Sequence, residues 1–249
     1  MMNSRITLTG LATIALICAG ASTSTLALPL TFNGVSGTFS ASATFDVVGG
    51  KLQITLANTS LADVTTPTGG GGILTALFFD LAPTTILTPV SATLGSGSTV
   101  FFGPNGGGNV GGEWAYKGGL SGAPGNAGLG TSSSGFGLFG QANFNGANLQ
   151  GPTAVDGLQY GITSAGDNTA NGNAAVTGQF ALIKSSVVFT LSGNPAFTSI
   201  NDYTISNLSF QYGTDLLLDP NVTATPVPEP TAGVLFVAGM LLLAAKRRC

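Results

Sequence analysis

Apolar and polar positions alternate strictly from Phe39 onward: Phe39, Ala41, Ala43, Phe45 and Val47 fall on one face, with Ser40, Ser42, Thr44 and Asp46 between them. Side chains alternate across a strand with a period of two, so this stretch predicts a β-strand with one buried face. The pattern returns as Leu52, Ile54 and Leu56 after Gly49-Gly50, a pair suited to the positive-φ turn that joins neighbouring antiparallel strands. Together the two stretches predict a hairpin. Further strand candidates follow at 74–81, 100–102, 113–116, 135–139, 158–162, 179–183, 187–191 and 203–212, most of them separated by Gly, Asn, Pro or Asp.

No stretch between residues 28 and 222 carries a convincing helical stripe of period 3.6. Many short Thr-, Val- and Phe-rich strands joined by turns predict an all-β domain, an antiparallel β-sandwich or jelly roll. A barrel or a solenoid uses the same elements, although no fixed repeat period favours the solenoid. The least regular part is 103–140, with Gly at fifteen of 38 positions around Trp114 and Tyr116. It reads either as long surface loops about one strand or as a flexible flap over a binding face, and permissive backbone favours the loops.

The chain ends follow different rules. At the N-terminus Arg5 precedes an apolar stretch at 6–21, and Thr25-Leu26-Ala27 offers a small-residue cleavage site, so residues 1–27 read as a signal peptide removed after Ala27. Ile17 before Cys18 argues against lipidation there. At the other end, residues 223–230 form a Pro-containing linker that closes on Pro228-Glu229-Pro230. An uncharged apolar run at 231–245 comes next, and then Lys246-Arg247-Arg248-Cys249. Fifteen helical residues cover ~23 Å, short of the ~30 Å hydrocarbon core. The unbroken apolarity and the terminal basic cluster nonetheless predict a transmembrane helix at 231–245, with a cytoplasmic tail at 246–249.

The Pro228-Glu229-Pro230 motif, the apolar segment and the Lys246, Arg247, Arg248 cluster, in that order at the C-terminal end, resemble a PEP-CTERM sorting signal. This is the substrate tag of exosortases in Gram-negative bacteria that make extracellular polysaccharide. The resemblance covers about a tenth of the chain, and Cys249 has no part in it. It implies export, an inner-membrane intermediate held by the tail, cleavage near the motif by a membrane protease, and a product on the cell surface or in the matrix. Phe39-Ser40-Ala41-Ser42-Ala43-Thr44-Phe45-Asp46 and Ser209-Phe210-Gln211-Tyr212-Gly213-Thr214 are also similar to segments of one group of such surface proteins, for which no chemistry is implied.

With both tags set aside, the composition changes. Both cysteines and all three methionines lie in the tags, and the chain has no histidine. An exported domain without cysteine forms no disulfide, so core packing and backbone ladders must hold it together. Residues 28–222 carry nine acidic side chains against Lys51, Lys117 and Lys184. That balance is wrong for nucleic acid or anionic lipid as a partner, whose phosphates need a basic surface.

The missing histidine removes Ser-His and Cys-His nucleophile pairs, an imidazole base and His-ligated zinc. Gly135-Phe136-Gly137-Leu138-Phe139-Gly140 matches a dinucleotide fingerprint in letters only, because no helix start follows to receive a pyrophosphate. Two carboxylates are enough for glycoside hydrolysis, which leaves a His-free glycosidase as an alternative, but most acids fall at strand ends or turns, where they cap backbone. The oxygen-rich stretch from Asp167 to Asn173 could hold Ca²⁺, although it lacks the spacing and the bidentate Glu of an EF-hand loop. Otherwise no cofactor or metal is expected. Trp114 and Tyr116 share one strand face if that segment is extended, and they form the candidate glycan contact of a polysaccharide-binding module. The same rings would equally fill a core. The expected role is that of a non-enzymatic structural or adhesive component of the envelope or exopolysaccharide matrix, with signal peptidase and an exosortase as processing partners.

Overall fold

The computed structural model describes residues 28–61, 71–134, 147–149, 157–171, 174–215 and 220–228. They form two β-sheets, and among the described residues the only α-helical piece is a single turn, Ala174–Thr177. The first sheet contains β1 (Leu30–Ser36), β2 (Phe39–Val48), β3 (Lys51–Asn58), β5 (Ile86–Leu94), β12 (Ser186–Asn194) and β15 (Thr225–Pro226). Its order is β15-β1-β2-β3-β12-β5, and every neighbouring pair is antiparallel.

The second sheet is built around β4 (Leu74–Ala82). One edge of β4 pairs with β13 (Thr204–Tyr212), and β13 pairs in turn with β14 (Asn221–Thr223). The other edge takes β8 (Leu129–Ser132) and, at Leu74, β10 (Ile162–Thr163). From β8 the sheet runs on to β7 (Ala115–Gly118) and β9 (Ala147–Asn148). From β10 it runs to β11 (Leu182–Lys184) and β6 (Thr99–Phe101), with β10 and β11 parallel.

The alternation seen in the sequence sets the inner face of the first sheet. Ala41, Ala43 and Phe45 of β2, Leu52, Ile54 and Leu56 of β3, and Val187, Phe189 and Leu191 of β12 are all buried in one cluster with Leu77, Phe79 and Phe210 of the second sheet. Ring contacts cross between the layers: Phe45 meets Phe79 at 5.3 Å, Phe39 meets Tyr212 at 4.9 Å, and Trp114 meets Phe189 at 4.9 Å. Gly34 lets β1 approach the second sheet, since a Cβ there would lie 2.9 Å from Phe210 and Val222. The hairpin turn at Gly49-Gly50 has φ of 58° and 73°, the left-handed pair expected of a two-residue connection.

β4 is covered on both faces. Its outward Ala76 and Phe78 pack with Ala115 of β7 and with Leu120, Ala123 and Ala127 of a loop folded over the sheet. Asp80 pins that loop, accepting from Gly128 N–H at 2.7 Å and from Asn207 Nδ2 at 2.7 Å. Asn207 sits in a bulge of β13 with φ 49°, a conformation that Asn tolerates better than most residues.

Predicted strands at 39–47, 74–81, 187–191 and 203–212 are found within a residue or two, apart from longer ends on β12. At 158–162 the chain instead turns and only enters a strand at Ile162, while the 135–139 candidate lies outside the described residues. Past residue 222 the stretch expected as linker carries regular structure. Thr223 belongs to β14, Ala224 N–H donates to Leu208 O at 2.9 Å, and Thr225–Pro226 is the edge strand β15. The folded unit therefore includes most of what was expected to be linker.

Candidate functional site

Trp114, the residue before β7, and Tyr116 within it both lie in the core between the sheets. Trp114 is 0% exposed, lies against the Phe189 ring, and donates from Nε1 to Tyr160 O at 3.1 Å. Tyr116 is 6% exposed, and burial pushes its hydroxyl up to about 12. Both rings are enclosed in the core, the packing role that the sequence left open beside the glycan contact. The alternation that set both residues on one side could not say which layer would cover that side.

Several acids serve the backbone. Asp46 Oδ1 accepts from Val47 N–H at 2.7 Å, Asp80 ties the loop to β13, and Asp202 Oδ2 accepts from Thr198 Oγ1 at 2.8 Å. In the stretch considered for Ca²⁺, Asp167 is buried, its N–H donates to Ser164 O at 3.1 Å, and Asn168 Oδ1 accepts from Ala170 N–H at 3.1 Å. Among the described residues no three of His, Cys, Asp or Glu come together, and residues 172–173 of that stretch lie outside the described residues.

Sequence reading missed the outer face of the first sheet. The register lines up Thr31, Thr44, Thr55, Val188 and Thr93 across five strands. The Thr31 and Thr44 hydroxyls are 3.0 Å apart and hydrogen-bonded. The signal was present in the alternation of Thr31 and Asn33 with Leu30 and Phe32, but Gly34 broke it, and nothing local indicated which strands would be neighbours.

The Pro228-Glu229-Pro230 stretch meets the described fold at its first residue. Val227 N–H donates to Thr31 O at 2.8 Å, so the exit strand is held against the entry strand up to the residue before the exposed Pro228. β15 is antiparallel to β1, so the chain leaves at the same end of the sheet at which it enters. Glu229, Pro230, Lys246, Arg247 and Arg248 lie outside the described residues, as do the expected signal peptide and the apolar run at 231–245. Among the described residues no helix is long and apolar enough to cross a membrane. Compared with known proteins, the chain matches no family model, no curated protein and no solved structure.

Proposed function

We propose that this is an exported cell-surface protein whose β-sandwich domain is delivered by its C-terminal tail. The tail is read by an exosortase at Pro228-Glu229-Pro230, and the domain serves a structural or adhesive role in the envelope or exopolysaccharide matrix. The observation that carries the reading is where the described fold starts and stops. Its first strand opens at Leu30, three residues after the proposed signal cut, and its last strand closes at Pro226, two residues before the motif. The described strands thus fall between the two proposed tags, residues 1–27 and 228–249. The cysteine-free core and the hydroxyl-bearing outer face of the first sheet suit a domain held by packing and ladders outside the cytoplasm.

The test is genetic. Expressed in a host strain lacking its exosortase, the protein keeps its tail and stays with the inner membrane, whereas the parent strain releases or transfers a shortened product. Identical processing in the two strains overturns the assignment. Glu229→Ala in the parent strain should reproduce the uncleaved form without altering the fold.

A further inference from the structure

Eight large apolar side chains stand exposed among the described residues, and four of them, Leu28, Val48, Ile86 and Val227, lie toward one end of the first sheet. The register places them. Val48 pairs with Lys51 across the Gly49-Gly50 turn, Lys51 with Ser192, and Ile86 with Asn194, which puts Ile86 beside the tip of the hairpin. Leu28 precedes Leu30, which pairs with Phe45 near the same end of β2. Leu28 is 49% exposed, Val48 47% and Ile86 72%, and Lys51 is exposed at the tip between them. Asp46, two positions further back, has an oxygen bonded to Val47 N–H.

Chain length brings this end to the membrane. Val227 is bonded to Thr31, which pairs with Thr44, and the hairpin tip begins four positions further along β2 at Val48. The apolar run begins four positions beyond Val227, at Thr231, and both strands point the same way. An extended chain advances at most about 3.6 Å per residue, so Thr231 reaches no further out than the level of Val48. A bilayer that holds the run at 231–245 therefore meets the tip of the β2–β3 hairpin.

We infer that the end of the first sheet formed by Leu28, Val48, Lys51 and Ile86 rests on the lipid surface while the tail is anchored, with the apolar side chains in the interface and Lys51 reaching the phosphates. This rests on the proposed membrane-held intermediate and adds to it an orientation and a lipid-contact surface. Apolar side chains combined with a long cationic one are the composition that an interfacial surface requires, and the contact is confined to this end because the acidic balance of residues 28–222 disfavours a broad anionic-lipid surface. Val35, which is 71% exposed, stands at the other end of β1 and marks the side facing away from the bilayer.

The full chain carrying Cys18→Ser and Cys249→Ser provides the test. Single cysteines introduced as Val48→Cys, Ile86→Cys and Val35→Cys, all at exposed positions, are labelled with a fluorophore. Each protein is reconstituted in vesicles of phosphatidylethanolamine and phosphatidylglycerol that contain a headgroup-nitroxide lipid. Fluorescence at positions 48 and 86 should be largely lost to the quencher and that at 35 retained. Equal quenching at all three positions, or strongest quenching at 35, overturns the orientation. A loss at 48 and 86 that follows protein density and is independent of the nitroxide assigns the surface to a second copy and likewise overturns it. Flotation separates the two layers of inference: a chain that does not float with the vesicles refutes the anchored tail and the docking together, whereas one that floats without quenching at 48 and 86 refutes the docking alone.

Discussion

Tyr116 and Tyr212 carry their hydroxyls into the space between the sheets, and burial pushes both up to about 12, with Ser60 and Ser40 opposing the shift weakly at Tyr212. In the unfolded chain a tyrosine titrates near its ordinary value of about 10. Below that value both states are neutral and the two residues make stability independent of pH. Above it the unfolded chain gives up protons that the folded chain retains, so stability falls as pH rises from about 10 to about 12. Melting temperature should stay level to about pH 9 and then drop, with a shallower drop in the double variant Tyr116→Phe, Tyr212→Phe. An alkaline limb of unchanged slope in that variant would show that other groups cause it. At the same scale, Thr75 and Asn207 each occupy a place where the ladder of β4 and β13 shifts register. The Thr75 hydroxyl donates to Gln211 O at 3.3 Å and also to Gly213 O, and Asn207 takes a left-handed conformation. Neither bulge was legible in the sequence, because a bulge answers to the partner strand and not to its own neighbours.

At the scale of elements, strands with one buried face were legible and so was the short edge strand β6, predicted at 100–102, whereas the edge strands β5 and β15 were not. β5 escaped prediction because Pro89 and a Thr-rich polar pattern argue against a strand interior; the structure sets it at the outer edge of the first sheet, where a missing N–H is tolerated. β15 was hidden in the same way by Pro226 and Pro228, and only its pairing with Phe32 and Asn33 makes it a strand. A chain ended at Val222 should therefore be less stable than one ended at Pro228. It loses the Thr223 pairing, the Ala224 N–H to Leu208 O bond, β15, and the Val227 N–H to Thr31 O bond. At roughly 0.5–1.5 kcal/mol net per hydrogen bond the loss is on the order of 2–4 kcal/mol, read as a lower urea midpoint with little change in slope. Equal midpoints would return residues 223–228 to the role of linker.

At the scale of the molecule, one continuous core joins the layers, with residues of both sheets in a single cluster from Phe32 to Val222. A shared core couples the two sheets, so residues 28–228 should unfold in one transition. Trp114, the only tryptophan, contacts Phe189 across the layers, so its fluorescence reports on their separation, while far-ultraviolet circular dichroism reports on the strands. The two curves should coincide; a fluorescence change that precedes the loss of strand signal would mean that the layers part before the sheets melt.

The sequence by itself determined the all-β class, the hairpin at Gly49-Gly50, and the placement of Trp114 and Tyr116 on one side of their segment. All of these depend on local periodicity, turn chemistry or runs of like residues, which operate within a few neighbours. Only the tertiary structure decided that Trp114 packs into the core, that threonines of four strands form one row with Val188 of a fifth, and that Val227 lies against Thr31. Those outcomes depend on which strands pair and which layer covers which face, and they follow from burying one shared apolar surface rather than from any segment alone.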